Sequence, residues 1–443
     1  MNATAITTDA PIKKRLFWTW DHSTEWALNR PGIQTIGASN SYGRTPETFV
    51  DDYTNLLKWC GQHNINAVVV WGLLRDSHGG VESVRKLSDI ANENDVKLLC
   101  GVGLNAYGGV YYEGDSPNSL TKHLTAHPDL YGLDADGKKM IFDFGLGGSS
   151  ITHHACPSRI ENQQFAAESL RWLFETIPGL GGVQIEAGDT GVCLCEHCKA
   201  RRQHPSSSLS WEDMGLMYPI AVDAIRSVSP DAFIVCETYS NPEKRDDSEK
   251  ALGFGEGRPM WSDECLDKFP DGVYVQWTGD NFVKPSSSLK WTDGGTIKDN
   301  RRHHIMRTHH ATYWSGIRGA VAFDWLEDMV QQSIAHGMDC TSIFGEVSPF
   351  NTGAELNYLA LENYGSANNP TADMNIFIRD VAVPLLGGED AARDYLRYAR
   401  MWADREKLPD ALKHIYSYCG KLPSEAARRW TWLANSLASS VYD

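Results

Sequence analysis

The chain has 443 residues, 42% of them hydrophobic and 22% charged, and carries a net charge of −16. That composition is ordinary for a globular protein, and the length is too great for one small core but suits one large α/β barrel carrying an extension. The acidic excess excludes a nucleic-acid backbone or an anionic membrane surface as the main partner, though not a local basic pocket for an acidic sugar, and no apolar run approaches the roughly 20 residues of a membrane span.

Residues 1–14 read as an N-terminal tail without the apolar centre of a secretory signal, so the chain as written is expected in the cytoplasm. Removal of a signal peptide from a secreted or periplasmic protein would leave the same appearance. From residue 15 onward, short β-branched or apolar runs alternate with longer amphipathic segments, the pattern of parallel strands joined by helices. The expected strands are RLFWTW (15–20), NAVVVWG (66–72), VKLLCGVGL (96–104), GVQIEAG (182–188), AFIVCETY (232–239), GVYVQWTG (272–279), GAVAFDW (319–325) and TSIFGEV (341–347).

After the first strand, TPETFVDDYTNLLKWCGQHN reads as a helix with Thr45 as cap and Pro46 in the first turn. VESVRKLSDIANEN, RIENQQFAAESLRWLFETI, SWEDMGLMYPIAVDAIRSV and NRRHHIMRTHHATYWSGI also read as helical, which makes RRHHIMRTHH (301–310) a helix face rather than a metal or phosphate patch. Eight β/α units over 15–350 predict an α/β fold, a (β/α)8 TIM barrel with a long loop after strand 3, and 351–443 read as a closing helix and a C-terminal helical extension.

Glu186 closes the fourth strand, at the end where parallel barrels expose their chemistry. Directly after it, Cys193, Cys195 and Cys198 form C-x-C-x-x-C, a spacing that can converge on one tetrahedral metal ion. A fourth ligand is available in His197 or in Cys156, and Cys156 fits better if the loop before its helix folds back onto the loop after the strand. Four thiolates leave no open position, so such a zinc would be structural. The single cysteines Cys60, Cys100, Cys236, Cys265, Cys340 and Cys419 lie among apolar residues and read as small core residues.

The upstream "CP", the strand ending in Glu, and C-x-C-x-x-C in the next loop resemble the zinc-containing β-galactosidases of glycoside hydrolase family 42 over roughly residues 150–200. That resemblance implies Cys156, Cys193, Cys195 and Cys198 as zinc ligands and Glu186 as general acid/base. LTAHPDLYGLDADGKK with HHACPSRIENQQF, and the tail from ELNYLALENYG to YLRYARMW, are similar to stretches of α-glucuronidase-like and hexosaminidase-like barrels. Two departures stand out: Ile185 replaces the Asn usual before the strand-four Glu in the retaining families, and GAVAFDWLED carries Asp324 rather than a strand-seven Glu. The galactosidase specificity and the retaining mechanism are therefore not carried over.

Glycosidases use two carboxyl groups. Strand ends supply Glu186, with Asp324, Glu346 and then Glu237 as candidate partners, and Asp21 and Asp189 as further acidic tips. Asp21, His22, Asp189, Trp277, Trp325 and His154 are the candidate substrate contacts, with His153 beside them. Trp18 and Trp71 read first as core packing. The expected activity is a glycosidase cleaving an oligo- or polysaccharide by carboxylate acid/base chemistry. The rivals are a polysaccharide lyase or sugar isomerase on the same barrel and a non-catalytic carbohydrate-binding barrel. A homo-oligomer is compatible with the resembled family; the sugar, its linkage and the stereochemistry are not legible.

Overall fold

The computed structural model describes residues 10–21, 26, 45–143, 151–186, 191–202, 211–238, 266–278, 296–308, 321–401 and 406–442. Eight parallel strands close into a barrel: β1 (Lys14–Trp20), β2 (Ala67–Trp71), β3 (Lys97–Gly103), β6 (Gly182–Glu186), β7 (Phe233–Glu237), β8 (Tyr274–Thr278), β9 (His303–Thr308) and β10 (Cys340–Phe344), with β10 returning to β1. Two further strands, β4 (Ile141–Asp143) and β5 (Ile151–His153), pair antiparallel within the long connection after β3. The TIM barrel expected from the sequence is thus the fold.

Alternation along each strand sorts its residues into two layers. Leu16, Trp18, Val69, Trp71, Val235, Ile305 and Phe344 fill the barrel interior. Phe17, Val68, Val70, Leu98, Val183, Ile185 and Ile343 face outward and are buried under the helices. Because both faces are covered, AVVVW in β2 is buried throughout, which is why parallel strands read as continuous apolar runs.

The helices are α1 (Pro46–Gln62), α2 (Gly80–Glu93), α3 (Leu120–Ala126), α4 (Ile160–Thr176), α5 (Glu196–Arg201) and α6 (Trp211–Arg226), followed by Phe323–Ala335, Thr352–Asn363 and a helical C-terminal region. Thr45 caps α1 as the sequence predicts, with reciprocal bonds to Thr48 and Pro46 in the first turn. Arg15, buried on β1, donates to the carbonyls of Leu361 (2.7 Å) and Tyr364 (2.8 Å), fixing the end of Thr352–Asn363 to the barrel wall. Arg429 grips Glu355 at 2.6 and 2.9 Å, tying the last helix, Ser424–Tyr442, to the same element. Among the described residues no helix is long and apolar enough to cross a membrane.

The seventh strand is not where the sequence pattern puts it. His303–Thr308, read above as helical, is β9, and Phe323–Ala335, whose first residues were read as a strand, is a helix. In β9 the inward position is held by Arg307, whose charge hides the strand pattern because its partner lies on β7. In the helix, Phe323, Leu326, Met329, Val330 and Ser333 are buried at i, i+3 and i+4 spacings, the period of a helix face rather than of a strand.

Candidate functional site

The C-terminal mouth of the barrel has an aromatic side and a polar side. Trp18 and Trp20 on β1, Trp71 on β2 and Tyr107 beyond β3 form one aromatic group, with Trp20–Trp71, Trp20–Tyr107 and Trp71–Tyr107 ring centroids 5.9, 5.9 and 5.8 Å apart. Glycine at 101 makes this possible: a Cβ there would lie 2.5 Å from the Trp71 ring. At Gly103 a Cβ would meet the Ala106 carbonyl at 2.4 Å, so the smallest residue lets the chain fold back and deliver Tyr107.

The polar side comes from β6 to β10. Ile185 pairs with Cys236 in the ladder, so the residues that follow, Glu186 and Glu237, stand side by side at neighbouring strand tips. Both are fully buried. Glu237 is held from several directions: Arg307 on β9 pairs with its Oε1 at 2.9 Å, Gln276 on β8 donates to its Oε2 at 2.8 Å, and Gln184 on β6 donates to the same oxygen. Arg307 also lies over the Trp18 ring, 5.1 Å from its centre, so the ion pair joins the polar side to the aromatic side.

Glu346 follows β10 and is likewise buried, accepting a hydrogen bond from the Trp20 backbone N–H at 3.3 Å. In the closed strand order β6 and β10 are four strands apart either way round, so Glu186 and Glu346 stand on opposite walls of the mouth.

Other candidates lie elsewhere. Asp324 sits in the first turn of Phe323–Ala335, partly exposed, and pairs with Arg400 at 3.3 Å; with no strand beneath it, it does not join the interior carboxylates. Trp325, on the same helix, packs against the outer core. Trp277 is fully buried on the outward face of β8, where alternation puts it once Gln276 points inward, and its indole N–H donates to His304 Nδ1 at 3.1 Å. Asp21 turns out of the barrel, against Arg75 (2.5 Å) and His78 (3.1 Å). Arg75 in turn stacks on Tyr112, 4.2 Å from its ring centre, and Tyr112 packs edge-on against Trp20. His154 is buried between two loops, with Nε2 3.2 Å from the Gly191 carbonyl, and burial pushes its pKa down to about 4. His153 meets the Tyr131 hydroxyl at 2.5 Å. His22, Asp189 and Cys265 lie outside the described residues.

Cys156, Cys193, Cys195 and Cys198 converge, with all four sulfur atoms within 4.8 Å of one another. Cys156 Sγ is 3.7 Å from Cys195 Sγ and 3.6 Å from Cys198 Sγ. Four sulfurs at Zn–S lengths of about 2.3 Å around a tetrahedral centre lie about 3.8 Å apart, so the thiols already stand close to a metal-ready arrangement. Hydrogen bonds from the Cys156 and Cys193 thiols hold the Cys198 thiol below its usual pKa, while Cys156 and Cys193 are themselves raised, so without a metal the cluster favours a single thiolate at Cys198. The Leu133 N–H donates to Cys193 Sγ at 3.3 Å and Arg202 to the Cys193 carbonyl at 2.7 Å. A metal could therefore be held here, between the β4–β5 hairpin and the loop that continues from Glu186.

Gln184, Gln276, Arg307 and Tyr107 were missed by sequence reasoning. The signal for the two glutamines was present: each is a lone amide in the middle of an otherwise apolar strand run, a position that is costly unless the amide meets a partner.

No protein-family model matches the chain, and no curated protein matches it. Solved structures do. A mutant O-GlcNAc hydrolase from Thermobaculum terrenum is 11% identical, with 98% of this chain and 83% of that one covered at a TM-score of 0.53. A glycoside hydrolase family 20 β-N-acetylglucosaminidase is 11% identical, with coverages of 85% and 73% and a TM-score of 0.46. An α-amylase from Geobacillus thermoleovorans, complexed with acarbose, is 12% identical, with coverages of 79% and 77% and a TM-score of 0.42. At such identity the likeness to the O-GlcNAc hydrolase establishes the barrel fold alone.

Proposed function

We propose that the protein is a glycoside hydrolase in which Glu186 is the general acid and Glu346, across the mouth, is the second carboxyl group. The observation that carries this reading is the pair of buried carboxyl groups on opposite walls, with the Trp20, Trp71 and Tyr107 rings beside them as a platform for the apolar face of a sugar ring. Glu237 is a poorer partner, because it already neutralises Arg307. The fold shared with the Thermobaculum O-GlcNAc hydrolase is compatible with cleavage of a glycosidic bond.

The chemistry follows from the placement. Glu186, buried at the tip of β6, is placed to hand a proton to a glycosidic oxygen in the mouth. Protonation of the glycosidic oxygen by Glu186 lets the bond to the anomeric carbon break. Glu346 then either takes a proton from an attacking water or bonds to the anomeric carbon itself. Zinc bound by Cys156, Cys193, Cys195 and Cys198 would supply no step of this reaction; it would cross-link the β4–β5 hairpin to the loop that follows Glu186.

Glu186→Gln tests the reading. General-acid catalysis contributes roughly 10²- to 10⁴-fold, so turnover on an activity-matched glycan should fall by at least about 10²-fold while the unfolding midpoint stays within experimental error of wild type. Full turnover in the variant would reject Glu186 as the acid. Reaction in ¹⁸O-labelled water separates hydrolysis, which incorporates the label, from lyase chemistry, which leaves an unsaturated ring.

A further inference from the structure

One member of the aromatic group is held in a backbone conformation that its side chain disfavours. Among the described residues, those other than glycine at positive φ are Asn64, Asp95, Tyr107 and Ala372. Asn and Asp tolerate the left-handed region, whereas a bulky ring at φ 51° is an outlier. Gly108 and Gly109 follow at φ 70° and 74°, so the chain runs through three successive left-handed positions and departs from glycine only where it carries the tyrosine. Strain of this kind persists where the surroundings over-determine it, and it collects at ligand sites.

The surroundings that hold Tyr107 come from the hairpin after β3. The Tyr107 backbone N–H donates to Thr152 Oγ1 at 2.6 Å, and both residues are buried. Thr152 lies on β5 opposite Phe142 of β4, which packs against the cysteine cluster. Two backbone bonds fix the residues just before Tyr107: the Ala155 N–H donates to the Asn105 carbonyl at 2.7 Å, and the Leu104 N–H donates to the Glu186 carbonyl at 2.8 Å. The tyrosine ring stands edge-on to Trp20 and Trp71, with interplanar angles of 70° and 66°, so its position limits theirs. One side-chain oxygen of the hairpin thus reaches the aromatic platform through a single buried N–H, which would be costly to leave without a partner.

We infer that Thr152 is a positioning residue for the saccharide: it pins Tyr107 in the left-handed conformation and so sets the pose of the Trp20 and Trp71 rings. The inference rests on the glycosidase reading for the ligand being a sugar. It goes beyond that reading in making a hairpin outside the barrel control affinity rather than bond cleavage.

The test uses the whole protein and 4-methylumbelliferyl glucosides, galactosides and N-acetylglucosaminides in both anomers, with kcat and KM read from released fluorophore. Calorimetry gives Kd for the corresponding phenyl thioglycosides, which resist hydrolysis. Thr152→Val keeps the shape and removes the acceptor. Kd and KM should rise about tenfold, the scale of a displaced aromatic contact, with kcat within about twofold of wild type. A merely structural role would lower the active fraction and leave KM in place; that pattern, or a rise in Kd of less than about threefold, overturns the inference. Thr152→Ser returns the oxygen and should return Kd to the wild-type value, and a serine variant as weak as the valine one would also overturn it.

Tyr107→Gly, which the left-handed backbone accepts, should weaken binding at least as much as Thr152→Val, and adding Thr152→Val to it should weaken binding no further. Additive losses would show the threonine acting by another route and overturn the assignment. If Thr152→Val does not fold, Tyr107→Gly still decides, because unchanged affinity would remove the tyrosine from the platform and the inference with it. Thioglycoside binding without turnover of any fluorogenic glycoside removes the glycosidase reading and leaves this one to be read from Kd; turnover with a Kd indifferent to Thr152 does the reverse. If no glycoside binds or turns over, both fall.

Discussion

Arg307→Met tests the central ion pair most directly. Arg307 and Glu237 have fully buried side chains 2.9 Å apart, so removing the arginine takes the cation from a buried carboxylate that still accepts from the amide N–H groups of Gln184 and Gln276. Breaking a buried pair by removing one partner costs about 3–5 kcal/mol, and the two remaining amide bonds argue for the lower end of that range. Replacing both partners, as in Glu237→Leu with Arg307→Met, removes the stranded charge and should recover much of the loss, since apolar replacements of buried pairs are often neutral. Urea denaturation of the two single variants and the double variant closes a thermodynamic cycle, and the expected coupling is about 2–3 kcal/mol. If Arg307→Met costs less than about 1 kcal/mol, or if the two losses simply add, the pair is not the buried, mutually dependent unit described here.

Three other outcomes are expected. His304 is kept neutral by burial, with its pKa pushed down to about 4, Nδ1 accepting from Trp277 and Nε2 facing Asp299 at 3.3 Å. The unfolded chain takes up that proton at about pH 6.5, so stability should be unaffected above this pH and fall below it by about 3 kcal/mol by pH 4. His304→Gln should remove one proton's worth of this slope in the pH dependence of the denaturation midpoint; an unchanged slope would contradict the neutral state. Protein expressed in zinc-supplemented medium should contain one zinc per chain by mass spectrometry, and Cys193→Ser should lose it, with faster hydrogen exchange in 131–143 and 191–202 but not in β1 to β3. Absence of bound metal would leave the thiols as a packed cluster. Thr45→Ala removes the cap of α1 and should cost about 1 kcal/mol in the same denaturation assay, with no change in turnover.

Much of this molecule follows from local pattern. The continuous apolar run at Ala67–Trp71 is buried on both faces, so it announces itself without reference to the rest of the chain. The α1 cap is equally local, because Thr45, Pro46 and Thr48 meet within four residues. The cysteines were legible by spacing, since three fall within six residues and the fourth opens the preceding helix segment, although the distances between them come only from the fold.

What the sequence could not decide depended on partners far along the chain. Arg307 looks unsuited to a buried strand until Glu237, 70 positions earlier, is set beside it by the closure of the barrel, and for that reason the local pattern favours a helix over β9 and a strand tip at Asp324. Trp277 and Trp20 cannot be told apart by type. One step of strand parity turns Trp277 outward against His304, while Trp20 remains at the mouth. Asp21 was a strand-end carboxylate like Glu186 until Arg75 and His78 drew it out of the barrel. Sequence by itself determined seven of the eight barrel strands and the cysteine set, because those rest on periodicity and short spacing. Only the tertiary structure decided which side chains face the mouth, because in a closed barrel the direction of each side chain is set by register and parity against strands that are distant in sequence.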